Sequence, residues 1–204
     1  MEMVINKNKI KILAQPRSGG TFMKYFLSTL FPDKQIQHNH HTNNPQYVDI
    51  LVVRDIRDSI TSGLRRYNSF EIKTTDDLDK IMKTINWNFL KKSNKDCYKA
   101  FKENKKVIVL FYEEFVNNFD FIVKKIEDAW DIKIDEKKIK KAQNTLNIDN
   151  AKKMIQSKGW GDKHVGDGAI RKWEKIIPLK LQEKFSTLCG VPNKKLSNEE
   201  YFII

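Results

Sequence analysis

Cysteine is scarce in this chain. Only Cys97 and Cys189 occur among 204 residues, and no CxxC pair is present. This excludes a disulfide framework and a thiolate zinc site, and makes a reducing cytoplasm the simplest compartment. Long hydrophobic runs are missing as well: no segment approaches the ~18–20 apolar residues needed to span a bilayer. Residues 1–15 carry charges where a secretory signal has its hydrophobic core, so an unsecreted protein with no place in a membrane is expected. Glycine (8) and proline (5) are too few and too scattered to form a linker, and neither repeats nor low-complexity blocks divide the chain. One domain over residues 1–204 follows, a size at which a single core still grows.

Acidic residues are outnumbered, 26 against 38 basic, for a net charge of +12. Such a balance attracts phosphate-bearing partners: nucleic acid, an acidic membrane face or a phosphorylated small ligand. Lys137, Lys138, Lys140 and Lys141 read as a solvated helix face rather than a site. A hydrophobic fraction of 40%, with 12 phenylalanines, is enough for a packed core despite 31% charged residues, which excludes wholesale disorder.

The first readable unit is the strand Ile10-Lys11-Ile12-Leu13-Ala14, the turn Pro16-Arg17-Ser18-Gly19-Gly20-Thr21 and an amphipathic helix over residues 22–31. A second unit pairs the β-branched run at 48–53 with a helix over 58–67, and a third pairs 106–111 with a helix over 119–130. Strands alternating with helices predict an α/β fold: a central parallel β-sheet flanked by helices, with right-handed crossovers. Residues 75–104 read as one helical run, with Leu78, Ile81, Met82, Ile85 and Phe89 on one face, and a last helix is expected near 179–188.

A glycine turn between a strand and a helix can aim backbone N–H groups at an anion. The loop lacks the Lys of a Walker A sequence, which disfavours a Mg-ATP site, and offers the bidentate cation Arg17 instead. Its plain alternative is a tight β–α connection. Arg54 falls at the end of the second strand with Ser62 eight residues on, and ligands of open α/β sheets collect at those strand ends. Two anion-seeking sites on one edge imply a ligand with two separated phosphate groups.

These residues resemble the sulfotransferases that use 3′-phosphoadenosine 5′-phosphosulfate (PAPS). Residues 16–21 are similar to that family's loop around the 5′-phosphosulfate. Arg54 to Ser62 resembles its Arg-x-Pro-Arg/Lys-Asp motif with the spaced Ser that holds the 3′-phosphate; Ile56 stands where the family has Pro. Leu110-Phe111-Tyr112-Glu113-Glu114-Phe115 is similar to the segment whose Tyr lies by the adenine. The resemblance spans residues 9–185 and implies a nucleotide-kinase-like, P-loop-like architecture. It also implies PAPS as donor, adenosine 3′,5′-bisphosphate (PAP) as product, and Arg17, Ser18, Gly19, Gly20, Thr21, Phe22, Arg54, Ser62 and Tyr112 as cofactor-binding residues. Toward the C-terminus Gly166 and Trp173 are seven residues apart against the family's five. The 3′-phosphate ligands there stay open among Lys163, His164, Gly166, Arg171 and Lys172.

Three of the four histidines fall in His38-Asn39-His40-His41. A zinc site could use His38 and His40 but finds no further ligands in a Cys or HExxH pattern, and an exposed polar loop is the plain alternative. His38-Asn39-His40 resembles the family's Lys-Thr-His, whose His is the general base. This implies His40 as base with His38 as its competitor, Arg17 as the cation at the leaving phosphate, and no metal. Such chemistry needs a base for the acceptor's proton and fixed positive charge for the phosphate. The acceptor is expected to be a small molecule or a glycan, in an open site formed by residues 42–46, 67–77 and Trp87. A P-loop phosphotransferase would share the loop and sheet but lacks its Lys-Ser/Thr pair here. A basic nucleic-acid-binding domain would suit the charge but leaves the Arg54-to-Ser62 spacing unexplained.

A thermal-shift titration separates these classes. PAP in EDTA at ~100 times its dissociation constant adds ~2.7 kcal/mol and raises Tm by several degrees, more than 5′-AMP does. A preference for Mg-ATP would put the phosphotransferase first.

Overall fold

The computed structural model describes residues 8–67, 71–84, 87–116, 118–145, 150, 153 and 170–202. The described strands are β1 (Lys9–Ala14), β2 (Gln35–Asn39), β3 (Ile50–Val53) and β4 (Ile108–Phe111). They form one four-stranded sheet in the order β2-β1-β3-β4, parallel throughout. β3, the sequence Ile-Leu-Val-Val, is buried at all four positions, as a central parallel strand must be when helices cover both faces.

Alternation along the strands divides the core. Ile12, Ala14, Ile50, Val52 and Leu110 face one apolar cluster with Met23, Phe26 and Leu30, whereas Leu13, Leu51, Val53 and Phe111 face the other with Leu78, Leu90 and Phe185. Helix α1 (Gly20–Leu30) buries Met23, Phe26, Leu27 and Leu30, the i, i+3, i+4, i+7 set that a helix packed on a sheet requires.

Strand order positions the site. From β1 the chain crosses to β2 on one side; it then returns to β3 on the other side of β1 and continues outward to β4. The reversal falls between β1 and β3, and Ala14 pairs with Val52, so the connections leaving these two strands emerge side by side.

The remaining described helices are α2 (Ile56–Tyr67), α3 (Thr75–Thr84), α4 (Trp87–Glu103), the single turn α5 (Tyr112–Phe115), α6 (Phe119–Trp130), α7 (Glu136–Thr145), α8 (Trp173–Ile176) and α9 (Leu179–Leu188). The segment read from sequence as helical over 75–104 carries α3 and α4, and Leu78, Ile81 and Leu90 are buried in one apolar cluster with Met82 packed against it. Lys137, Lys138, Lys140 and Lys141 are exposed on α7.

Arg57, one residue into α2, is among the largest fully buried side chains. Its Nε and Nη2 donate to Asp55 at 2.6–3.2 Å, Nη1 donates to Ser186 Oγ and the Pro192 carbonyl, and Nη2 donates to the Lys194 carbonyl at 2.7 Å. Its flat face lies over Trp173 at 4.1 Å. Removing the cation strands a buried carboxylate and several acceptors. Arg57→Met is therefore expected to cost about 3–5 kcal/mol in urea denaturation, the range for breaking a buried ion pair from one side.

Candidate active site

The connection from β1 to α1 is a tight turn held from below. Ser18, completely buried, donates its hydroxyl to the Gln15 and Val52 carbonyls at 2.6 and 3.0 Å, which ties the turn to β3. Gly19 adopts a left-handed φ of 88°, which a side chain would strain, and caps α1 with no side-chain oxygen on the first turn. The N–H groups there are the ordinary anion-binding feature of a helix start. Gly20 has no room for a side chain: a Cβ would collide with His38 Nε2 and, at 2.5 Å, with the Ala14 Cβ.

Arg17 sits at φ 65° and sends its guanidinium across to the second motif, where Nε and Nη2 donate to Ser62 Oγ at 3.3 and 3.2 Å. Arg54 answers from β3: its Nη1 donates to the Arg17 carbonyl at 3.0 Å, and its guanidinium stacks over Tyr112 at 4.1 Å. The Arg54 N–H is itself held by Gln15 Oε1 at 2.8 Å, while the Gln15 amide reaches Asn94 and the Tyr201 carbonyl. Arg17, Arg54, Ser62 and Tyr112 thus converge although they come from three connections. Glu113 accepts the Asp55 N–H at 3.0 Å, and burial pushes its carboxyl up to about 7. Burial also raises Asp58, opposed by Arg54 and by the N–H groups of Trp173 and Arg171.

The histidines lie at the open end of β2, beside β1. His38 belongs to the strand, paired with Ile12, and packs over Gly20; its buried Nε2 has no hydrogen-bond partner. Burial, with His40 and Lys24 nearby, pushes His38 down to about 4. His40 crosses edge-on to His38 at 4.9 Å and places Nδ1 2.7 Å from the Ala14 carbonyl. A carbonyl only accepts, so Nδ1 carries the proton and Nε2 of the neutral ring is the proton acceptor. Burial holds the His40 pKa below its ordinary value, against the contrary pull of that hydrogen bond. His41 pairs with Asp96 of α4 at 3.2 Å, and Phe89 packs edge-on against both His40 and His41. Among the described residues no group of three or more His, Cys, Asp or Glu is placed to hold a metal ion.

The other expected residues are placed as follows. Phe22 stacks with Phe26, Phe115 and Phe119 in an aromatic cluster. Arg171 pairs its guanidinium with Glu174, and Trp173 is buried against Arg57 and Phe185. Thr21 is half-buried in the first turn of α1, and Lys172 is half-buried just before α8. Lys163, His164 and Gly166 lie outside the described residues. The residues that sequence reasoning missed are Gln15, Asp58, Asp96 and Glu113. Asp58 carried a signal, as the last residue of the Arg54 motif, and so did Glu113, next to Tyr112 in the third motif.

A parallel sheet in the order β2-β1-β3-β4, flanked by helices and with a glycine turn at its switch point, is a P-loop-like α/β fold. The sulfotransferase domain model matches residues 32–199, well over half of the chain, and the chain belongs to this family. A mouse sulfotransferase complexed with PAP is similar over 89% of this chain and 83% of its own, with a TM-score of 0.66 and 15% identity. Retinol dehydratase in complex with androsterone and inactive cofactor PAP is similar over 89% and 79%, with a TM-score of 0.62 and 12% identity. At these identities the likeness is one of fold. No curated protein matches the chain by sequence. Among the described residues no helix is long and apolar enough to cross a membrane.

The crowding at Gly20 sets a test. Gly20→Ala is expected to lose ~1–3 kcal/mol of stability in urea denaturation, the usual cost of an overpacked core, and to weaken PAP binding by displacing the turn.

Proposed function

We propose that the chain is a single sulfotransferase domain that moves a sulfuryl group from PAPS to a hydroxyl or amine of a small-molecule or glycan acceptor, leaving PAP. The observation that carries this reading is the meeting of the two anion motifs, with Arg17 on Ser62 and Arg54 on the Arg17 carbonyl. A ligand with phosphates at two positions fits that arrangement. The N–H groups at the start of α1 suit one phosphate, the Arg54–Ser62 pair suits the other, and the Tyr112 ring packs against both the Arg54 cation and Gly19. The buried reduced cysteines, Cys97 and Cys189, accord with a cytoplasmic enzyme.

When bound, PAPS supplies a sulfuryl group already attached to a phosphate leaving group. His40 Nε2 takes the acceptor's proton as the acceptor's oxygen or nitrogen bonds to sulfur. Arg17, with the N–H groups of the α1 start, meets the negative charge that collects on the phosphate oxygen as its bond to sulfur breaks. Arg17 acts by charge alone, because a guanidinium does not give up its proton near neutral pH. His38, neutral and packed on Gly20, lines the same turn and is the second candidate for proton transfer. The acceptor enters beside Phe89, from the side of residues 42–46, 71–77 and Trp87; residues 68–70 of the expected site lie outside the described residues.

His40→Ala is expected to leave PAP affinity nearly unchanged while transfer falls ~10²–10⁴-fold, the usual share of a general base. Arg54→Ala is expected to do the reverse, weakening PAP binding first. Because burial lowers the His40 pKa, its neutral form persists as pH falls. The acid limb of kcat/KM is therefore expected below the ordinary imidazole value of ~6.5, with full activity retained at neutral pH. A limb above that value would remove His40 from the role.

A further inference from the structure

The second motif supplies more than ligands. Asp58 sits one turn after Arg54 in α2, almost wholly buried, and divides its two oxygens among three groups. Oδ2 accepts the Arg171 N–H at 2.7 Å and lies 3.7 Å from Arg54 Nη2, while Oδ1 accepts the Trp173 N–H at 3.0 Å. The backbone it grips is unusual, since Arg171 is held at φ 51°. A neutral oxygen could accept from N–H groups. A buried charge is a costly way to do so, and what it adds is a hold on the guanidinium.

We infer that Asp58 is a positioning residue for recognition of the 3′-phosphate: it fixes the Arg54 guanidinium and ties it to the chain at residues 171–173. The inference rests on the function proposed above. Arg54 is then set on three sides, by Asp58, by the Arg17 carbonyl and by the Tyr112 ring. Its planar fork is presented in one orientation, which is what bidentate recognition of a phosphate needs. The same carboxylate makes the arrangement of residues 171–173 depend on that of Arg54, although the two are more than a hundred residues apart in sequence.

The test compares PAP with 5′-AMP, which differ by the 3′-phosphate alone, using calorimetric affinities on the full chain. In Asp58→Asn, which keeps shape and one acceptor oxygen, the preference for PAP over 5′-AMP is expected to fall by at least about tenfold, the scale on which a buried cation feels the loss of its carboxylate partner. The affinity for 5′-AMP should hardly move. In an Arg54→Ala background the same change should leave the ratio where it is, because its route of action is gone. If Asp58→Asn fails to fold, Asp58→Glu, which retains the charge one methylene further out, is read by the same ratio and is expected to lower it. Parallel losses for both nucleotides, or a ratio that survives the substitution, would show that Asp58 is scaffold and overturn the inference alone. Equal affinities of the unaltered protein for PAP and 5′-AMP would overturn the proposed function and this inference with it.

Discussion

The pairing of Ala14 with Val52 in adjacent parallel strands is the constraint on which the site depends. It brings two connections to the same edge at neighbouring strand ends, and the remaining contacts lock that proximity. Ser18 hydroxyl to the Val52 carbonyl and Arg54 N–H to the Gln15 side chain each join one connection to the other. Because the paired stretches Ile12–Ala14 and Ile50–Val52 are buried on both faces, a slip of one residue would turn apolar side chains from one cluster into the other. Register and site geometry are therefore the same property.

Electrostatics organises what the sheet places. Arg54 and Arg57 leave the same turn three residues apart and meet opposite fates. Arg57 is consumed by the core, its donors met by Asp55 and by acceptors in the C-terminal segment. Arg54 stays at the strand end, braced by Asp58 and Tyr112. Both cations are buried beside carboxylates, which limits the desolvation each would otherwise suffer. The histidines are treated in the opposite way. Burial keeps His38 and His40 neutral, and the Ala14 carbonyl selects which nitrogen of His40 can accept a proton.

Much of this was legible in the sequence where the signal was local. Ile10-Lys11-Ile12-Leu13-Ala14, the glycine turn and the 3.6-residue period after it specify a strand, a turn and a helix within one short window. The Arg54-to-Ser62 spacing is likewise a property of one turn and one helix. The side-chain partners of Gln15 and Asp96, and the backbone that Asp58 holds, were not legible, since they lie 39 or more residues away and are chosen by topology. His38 shows the same limit. Its identity was readable, but its burial over Gly20 follows from pairing with Ile12, a fact of sheet order.

The Arg57 anchorage bears on how the chain is made. Its acceptors at Ser186, Pro192 and Lys194 are 129 to 137 residues downstream, and the Gln15 amide reaches a carbonyl 186 residues on. During synthesis from the N-terminus the sheet strands leave the ribosome long before those groups exist. The nascent polypeptide must carry an unsatisfied guanidinium and a loosely closed nucleotide edge until translation has passed residue 194. Cooperative closure is thereby deferred until that segment has been made, and fragments released before it are left as substrates for chaperones and proteases.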